Sequence, residues 1–352
     1  MRRLVLVVVI LVVHCIALLC AAGAPDPMQL LGMRSLQTPP ASAPAPTTEE
    51  PPAQPPSNDP PANESDSTYE QYRRDRDQAA EAQAAASADA APAPAELANP
   101  FHIQINLDFT NAYFYRGILQ QDHGLITQPA AKLTIDVLDH DGWSVDAFLG
   151  TWNSFGRNGG SNTNNIVSDW YESDLVAGFA ITKDKFSLTT SYIFLTSPAD
   201  AFATVQELDF ALGFDDSEAL GKFALHPYAL LAIETSSVGS DGADPGIYLE
   251  LGVAPGFSFN LGKTPVAVSF PVVLGLSLDD YYQDAGGTGD DSTFGFVQAG
   301  AKVAVPLPFG ERFGQWTLNA GVAGMYLGDN LAEVNGDDNF EVIGTIGLQW
   351  NF

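Results

Sequence analysis

Apolar and polar residues alternate along the stretch FHIQINLDFTNAYFYR, which spans residues 101–116. From Phe101 to Phe109 every odd-numbered side chain is apolar and every even-numbered side chain is polar. A period of two residues predicts an extended strand with one apolar and one polar face. Such a strand is roughly three times as long as the usual strand of a globular protein. We therefore predict a long two-faced strand over residues 101–116.

The same alternation recurs to the end of the chain and predicts an all-β fold of about twelve strands. The predicted strands span residues 101–116, 128–137, 143–154, 170–182, 185–196, 203–215, 222–236, 246–261, 265–279, 293–305, 313–327 and 340–352. Long acidic connections cover residues 117–127, 155–169, 197–202, 237–245, 280–292 and 328–339, whereas tight ones cover 139–142, 183–184, 262–264 and 308–312. Alternating long and short connections indicate antiparallel strands that run up and down, with the long loops at one end.

Long two-faced strands predict a membrane-spanning antiparallel up-and-down β-barrel, whose apolar parity faces lipid and whose polar parity faces a hydrated interior. The alternative is a soluble β-sandwich or lipocalin-like barrel, in which the apolar parity points inward. Two features favour the membrane barrel: the polar parity is rich in Gly, Ala and Ser, and the last strand ends on Phe352. A last strand that ends in an aromatic residue resembles the signal that is read by the outer-membrane barrel assembly machinery. That machinery is therefore an expected partner.

The first 98 residues differ in composition from the predicted strands. Residues 1–24 have a basic start, a long apolar run and a small-residue end, which predict a cleaved secretory signal peptide. An uncleaved transmembrane anchor is the alternative, because the apolar run is long. Residues 25–98 are rich in Pro, Ala, Ser and Thr and predict a disordered periplasmic linker. Residues 99–352 then form the barrel domain.

The net charge excludes nucleic acid as a partner, and the predicted barrel indicates the location. The chain has 43 acidic and 15 basic residues and a net charge of −28, so it lacks the basic face that nucleic-acid binding requires. The predicted location is the outer membrane of a Gram-negative cell, with the linker in the periplasm. The expected partners are outer-membrane lipids and lipopolysaccharide around the barrel, and peptidoglycan at the linker.

Strand parity identifies candidate functional residues on the inner wall. The predicted pore-lining residues are the acidic Asp108, Asp136, Asp146, Asp174, Glu207, Asp209, Glu234, Glu250 and Glu341 and the basic Arg116, Lys132 and Lys302. An excess of carboxylates on a pore wall attracts cations and repels anions. The predicted function is a porin-like channel for passive diffusion of small solutes, with cation preference. The alternative is a non-conducting structural or adhesive barrel, tethered towards the cell wall, whose inward side chains fill the lumen.

Catalysis, cofactors and metal sites are not expected. Barrel phospholipases need a Ser–His pair near the outer lipid level, but only His123, beside Asp122, falls in a predicted outer loop. The sequence contains neither an HExxH nor a CxxC motif. The acidic stretches 279–292 and 328–339 lack the ligand order of a calcium-binding loop. We therefore predict a protein that is not an enzyme, with solvated acidic loops.

Residues 110–154 resemble the start of the TorF-type porin family. Members open with a strand that ends in an aromatic-x-Arg-Gly step, followed by a Gln-x-x-x-Pro-Ala segment and a Gly-Thr-Trp strand. The matching positions are Tyr113, Tyr115, Arg116, Gly117, Gln121, Pro129, Ala130, Gly150, Thr151, Trp152 and Asn153. Gln121 and Pro129 are further apart than in the family pattern, and the Pro/Ala-rich linker is not part of it. The resemblance implies an outer-membrane porin-like barrel and no particular substrate.

Overall fold

The computed structural model describes residues 99–156, 169–284, 290–309 and 311–352. The predicted signal peptide and the predicted linker lie outside these ranges. Within the ranges, no helix is long and apolar enough to cross a membrane. Strands make up most of the described chain, and the helices are short and lie in the connections.

The bounds of the secondary structure follow in chain order. The strands are β1 (Phe101–Thr110), β2 (Tyr113–Tyr115), β3 (Ile118–Gln121), β4 (Ile126–His140), β5 (Trp143–Phe155), β6 (Trp170–Lys183), β7 (Phe186–Thr196), β8 (Val205–Phe214), β9 (Tyr228–Glu234), β10 (Ile247–Val253), β11 (Gly256–Leu261), β12 (Thr264–Ser269), β13 (Val272–Asp279), β14 (Phe294–Leu307), β15 (Gln315–Leu327) and β16 (Phe340–Asn351). The helices are α1 (Ser217–Leu220), α2 (Asp329–Val334) and the 3-10 turns Gly221–Phe223 and Glu311–Phe313.

Twelve antiparallel wall strands close into a barrel, which confirms the predicted fold. After short interruptions β10 continues into β11 and β12 into β13, so each pair forms one wall strand. The ring closes because β1 pairs with both β4 and β16, and β14 pairs with both β13 and β15. Ile103 and Phe352 exchange two backbone hydrogen bonds of 2.8 Å at the seam. Closure pairs the backbone groups that an open sheet edge would expose to lipid.

The two ends of the barrel differ in their connections. Both Phe101 and Phe352 lie at the end where tight turns join the strands, and we call this the turn end; the opposite end is the loop end. Between β4 and β5, Asp141 and Gly142 have φ of 52° and 73°. Two successive left-handed residues are typical of the type I′ turn, whose twist fits antiparallel strands.

The connection between β8 and β9 departs from the predicted alternation. The seventh strand was predicted over residues 222–236, but β9 begins only at Tyr228. Pro227 precedes it and has no N–H for the ladder, and the Asp216 carboxylate accepts the backbone N–H groups of Leu225 and His226 at 3.0 Å. These side-chain bonds satisfy the backbone outside the sheet, so the turn end carries α1 and a 3-10 turn where a short turn was expected.

The apolar face of the wall points outward. Leu149, Leu175 and Phe179 are each 50% exposed on the outer surface, whereas the inward Asn106 and Asp108 are buried. A lipocalin-like barrel has the reverse arrangement, with its apolar side chains inside. An apolar exterior around a polar interior is typical of a transmembrane β-barrel, as predicted.

Arginine on the outer face should destabilise the barrel. Leu251 lies outward on β10, and Leu251→Arg places a charge against lipid at a cost of about 2–4 kcal/mol. The matched change Gln349→Arg on β16 adds the same charge to the polar inner face and should have a much smaller effect. Urea titration of both variants in lipid vesicles measures the difference. Equal losses at the two positions would contradict the assignment of the faces.

The first strand is shorter than predicted. β1 ends at Thr110, which pairs with Ile126, so the predicted strand over 101–116 and loop over 117–127 had the wrong boundaries. The residues that follow form the β2–β3 hairpin, a separate two-stranded sheet. The reason lies in β2, Tyr113–Tyr115, where three consecutive aromatic residues place bulky rings on both faces. A segment that is apolar on both faces is suited to burial inside the barrel.

Candidate functional site

Residues 112–121 form a hairpin inside the barrel, which we call the lumen hairpin. Residues 112–118 are all buried. The turn residues Arg116 and Gly117 have φ of 48° and 89°, so the second position favours glycine. A Cβ at Gly117 would lie 2.7 Å from Leu331 and 2.8 Å from Phe296, side chains of α2 and β14. The tip of the lumen hairpin is therefore packed tightly against α2 and β14.

Arg116 at the tip lies in a cage of acidic and aromatic side chains. Its Nη2 atom lies 2.7 Å from Glu207 and 3.2 Å from Asp209, two inward residues of β8. Its guanidinium carbon lies 5.0 Å, 4.7 Å and 5.7 Å from the ring centres of three tyrosines. We call this cage the arginine box, and its residues are Tyr115, Glu207, Asp209, Tyr248 and Tyr281. Carboxylates in the plane and aromatic faces above it are the two preferred surroundings of a guanidinium.

The tyrosine hydroxyls complete the arginine box. Arg116 donates from Nη1 to the Tyr281 hydroxyl at 3.1 Å, and Tyr115 donates to Glu207 at 2.8 Å. Tyr115 and Tyr281 lie off the wall strands, and burial raises the pKa of both hydroxyls well above its ordinary value. Both phenols therefore stay protonated.

Further hydrogen bonds hold the lumen hairpin to the loop end. Asn335, which follows α2, accepts from the Leu119 N–H and donates to the Gly117 carbonyl, both at 2.8 Å. Tyr282 donates to the Arg116 carbonyl at 2.8 Å. On the opposite arm Ser154 donates to Gln121 at 2.5 Å. The hairpin is thus fixed by side chains from several connections and wall strands.

Carboxylates outnumber cations around the lumen hairpin. The buried acidic residues of the wall strands are Asp108, Glu172, Asp174, Glu207, Asp209, Glu234 and Glu250. Within the described ranges, Arg116 is the only Lys or Arg that is buried. Glu250 accepts hydrogen bonds from Tyr228 at 2.7 Å and Tyr248 at 2.6 Å. The interior near the hairpin is therefore strongly acidic.

The inner wall also carries neutral polar groups that need a partner. Asn106, Gln128, Ser187, Ser191 and Asn319 each have a buried side-chain atom with no hydrogen-bond partner in the described part of the chain. These residues lie on β1, β4, β7 and β15, and so around much of the circumference. Buried polar groups normally bond to protein or to water, and a polar lumen provides room for water. The wall is suited to a hydrated interior.

A small cavity lies beside the lumen hairpin. Its volume is about 70 Å³, and Tyr113, Arg116, Gln128, Glu250 and Gln298 are among its lining residues. That volume holds a few water molecules. Sites for small-molecule ligands are commonly about 300–1,000 Å³, so this cavity is too small for a ligand of that size.

The predicted pore-lining residues separate into three groups by position. The structure brings Arg116, Glu207 and Asp209 into direct contact, and buries Asp108, Asp174, Glu234 and Glu250 elsewhere on the inner wall. Lys132, Asp146, Lys302 and Glu341 are half-buried, away from the arginine box. Asp136 is exposed near the turn end, where it contacts His102 at 3.0 Å and faces Asp146 across the β4–β5 pair.

Strand parity alone missed the aromatic part of the site. Tyr115, Tyr248 and Tyr281 surround the guanidinium, but none of them was among the predicted pore-lining residues. Glu172 was also missed, because the predicted strand over 170–182 begins near it. The three adjacent aromatic residues Tyr113–Tyr115 were the available signal, since they interrupt the alternation directly before Arg116 and Gly117.

The histidines of the described ranges lie away from the arginine box. The side chains of His102, His123 and His140 are 57%, 66% and 75% exposed. At the turn end, Asp215, Asp216 and His226 place potential metal-ligand atoms within 4.8 Å of one another, which the sequence did not predict. Because Asp216 already accepts backbone N–H groups with both oxygens, its carboxylate stabilises the loop.

The closed wall, apolar exterior and acidic interior define a transmembrane β-barrel of the outer-membrane type. No protein-family model matches the chain. No curated protein matches it either. The similarity to the TorF-type family therefore stays a prediction.

Solved structures with similar folds are outer-membrane barrels. An outer-membrane channel from Pseudomonas putida F1 shares 11% identity at a TM-score of 0.41, over 74% of this chain and 100% of that chain. The β domain of the Bordetella autotransporter BrkA shares 13% at 0.39, over 71% and 98%. The translocator domain of the autotransporter NalP from Neisseria meningitidis shares 13% at 0.34, over 80% and 98%. At these identities the likeness concerns the barrel architecture alone.

Proposed function

We propose that this protein is a porin-like channel of the Gram-negative outer membrane, in which the lumen hairpin forms the constriction. The observation that carries the proposal is a polar inner wall combined with an inserted hairpin that ends on Arg116. A barrel that needed only a filled core would be expected to use apolar side chains, because buried charges are costly. The TorF-type porin family, the periplasmic linker and the contacts with lipopolysaccharide and peptidoglycan belong to the same proposal.

We infer that the channel prefers cations. Seven buried wall carboxylates face one buried guanidinium among the described residues. Two of these carboxylates are engaged by Arg116, and the rest leave a net negative potential along the path. Fixed charges beside a narrow aqueous path concentrate counter-ions, so potassium should pass more readily than chloride.

Reversal potentials in a potassium chloride gradient should show potassium favoured over chloride. The preference should weaken at high salt, because the Debye length is about 10 Å at roughly 0.1 M and shorter above it. The variant Asp108→Asn should reduce the preference, since this side chain is buried on the inner wall outside the arginine box. Asp136→Asn, near the exposed turn end, is the matched control and should change little. Chloride selectivity in the unmodified protein would reject the electrostatic argument.

A second candidate is a non-conducting structural barrel. The observation in its favour is the cavity of about 70 Å³ beside the hairpin, which is too small for most solutes. In that case the hairpin would be a permanent plug, held by Asn335 and Ser154 as well as by the ion pairs of Arg116. Planar-bilayer recordings distinguish the candidates, because a permanent plug gives no channel events at any voltage.

A further inference from the structure

The barrel wall around Arg116 has the chemistry of a binding site for a free cation. We propose that it binds small organic cations that carry a guanidinium group, and that Arg116 occupies the site as an internal ligand. This inference rests on the proposed channel function, because it names the solute class that the constriction selects.

Four of the five residues of the arginine box belong to the wall or its connections. Glu207 and Asp209 lie on β8, Tyr248 lies on β10, and Tyr281 follows β13. Only Tyr115 belongs to the hairpin itself. If the hairpin leaves, two carboxylates and two aromatic faces therefore remain at the site.

The wall residues are held in place by contacts of their own. Tyr248 donates to Glu250 at 2.6 Å, and its ring centre lies 5.0 Å from that of Tyr281. The Tyr281 N–H donates to the Ser277 hydroxyl at 3.0 Å. These bonds do not involve Arg116, so the site is preorganised for a ligand that replaces it.

Arg116 fills the site incompletely. Its Nε atom and the Oδ1 atom of Asp209 are both buried and have no hydrogen-bond partner among the described residues. The hairpin backbone fixes the direction from which the Arg116 side chain enters. A free guanidinium is not restricted in this way and can direct an N–H group towards the remaining Asp209 oxygen, which favours it in competition with Arg116.

The carboxylates and aromatic rings of the arginine box favour guanidinium over other small cations. A planar guanidinium uses carboxylates in its plane and aromatic rings on its faces at the same time. Sodium and a methylammonium ion have no planar face to stack. Binding of a guanidinium solute would displace the hairpin tip, so occupancy of the site and opening of the constriction are coupled.

The test uses the full chain with Arg116→Ala, refolded in detergent and followed by its heat-modifiable gel migration. Guanidinium chloride at millimolar concentration should raise the temperature at which this variant loses its folded migration. Its apparent affinity should be about tenfold higher than that of methylammonium chloride or sodium chloride at equal ionic strength. The unmodified protein should show a far smaller shift, because Arg116 already occupies the site.

The control is Arg116→Ala combined with Glu207→Gln and Asp209→Asn, in which the guanidinium effect should disappear. A shift that persists in the control, or that sodium reproduces, would overturn the proposal. If Arg116→Ala refolds poorly, the folded yield with guanidinium or sodium in the refolding buffer gives the same comparison. Stabilisation that is specific for guanidinium, without any bilayer conductance, would support the binding site and reject the channel function. Conductance without such stabilisation would support the channel function and reject the binding site.

Discussion

Replacing the lumen hairpin with a tight turn should raise single-channel conductance by roughly an order of magnitude, because a twelve-stranded barrel encloses a wider lumen than the eight-stranded barrels that side chains fill. The replacement is geometrically simple. Thr110 and Ile126 are paired neighbours on β1 and β4, so an Asn-Gly turn can join the two strands once residues 111–125 are removed. Planar-bilayer recording measures the conductance, and swelling of proteoliposomes in sugar solutions measures the size of solute admitted.

Heat-modifiable migration must first show that the shortened barrel still folds. The matched control shortens residues 197–204, another connection at the loop end, which is not part of the arginine box. That control should leave conductance nearly unchanged. If removal of the hairpin also left conductance unchanged, the constriction would lie elsewhere in the lumen, and the cation-selective site would have to be sought there.

The wall of the barrel was predictable because its environment is repetitive. Each wall strand has lipid on one side and a polar interior on the other, so the side-chain alternation of β1 or β8 is enough to orient it. The lumen hairpin has no such constraint. It contacts the interior on both faces, and Tyr113–Tyr115 then carries no two-residue period that would identify its position. The predicted strand consequently ran on through Arg116.

The candidate site was predictable only as a list of charges. Parity identified Glu207 and Asp209 as inward residues of the same wall strand. It could not indicate that Arg116 would cross the lumen to meet them, because that contact joins positions 91 and 93 residues apart. Tyr281 lies in a connection, where alternation has no meaning. Such contacts depend on barrel closure, which brings the loop-end residues together.

Removing the cation from the ion pairs between Arg116, Glu207 and Asp209 should release the lumen hairpin. Arg116→Met keeps a long side chain but leaves Glu207 and Asp209 buried without a cation, which costs about 3–5 kcal/mol for a buried charge network. The barrel can relieve this cost by releasing the hairpin, because the two carboxylates then become hydrated. The equilibrium should therefore shift towards the released hairpin, with the wall strands intact.

Two measurements follow this shift. The Leu119 amide, which donates to Asn335 in the closed structure, should lose its protection from hydrogen exchange, while the amides of β5 and β6 keep theirs. Channel recordings should show a higher open probability. Protection of Leu119 that survives in Arg116→Met would mean that Asn335 and Tyr282 hold the hairpin without the ion pairs.

Neutralising Arg116, Glu207 and Asp209 together shows whether the charges or the packing of the side chains keep the hairpin closed. The triple variant Arg116→Met, Glu207→Gln and Asp209→Asn removes both the cation and the acids that need it, and uncharged amides are far less costly to bury than carboxylates. Closure should therefore be largely restored relative to Arg116→Met alone, even though every ion pair is absent. A triple variant as open as the single variant would mean that the shape of the Arg116 side chain closes the hairpin. If the triple variant closes as expected, closure depends on compensating two buried carboxylates, and a cation that compensates them equally well from solution can then take the place of Arg116.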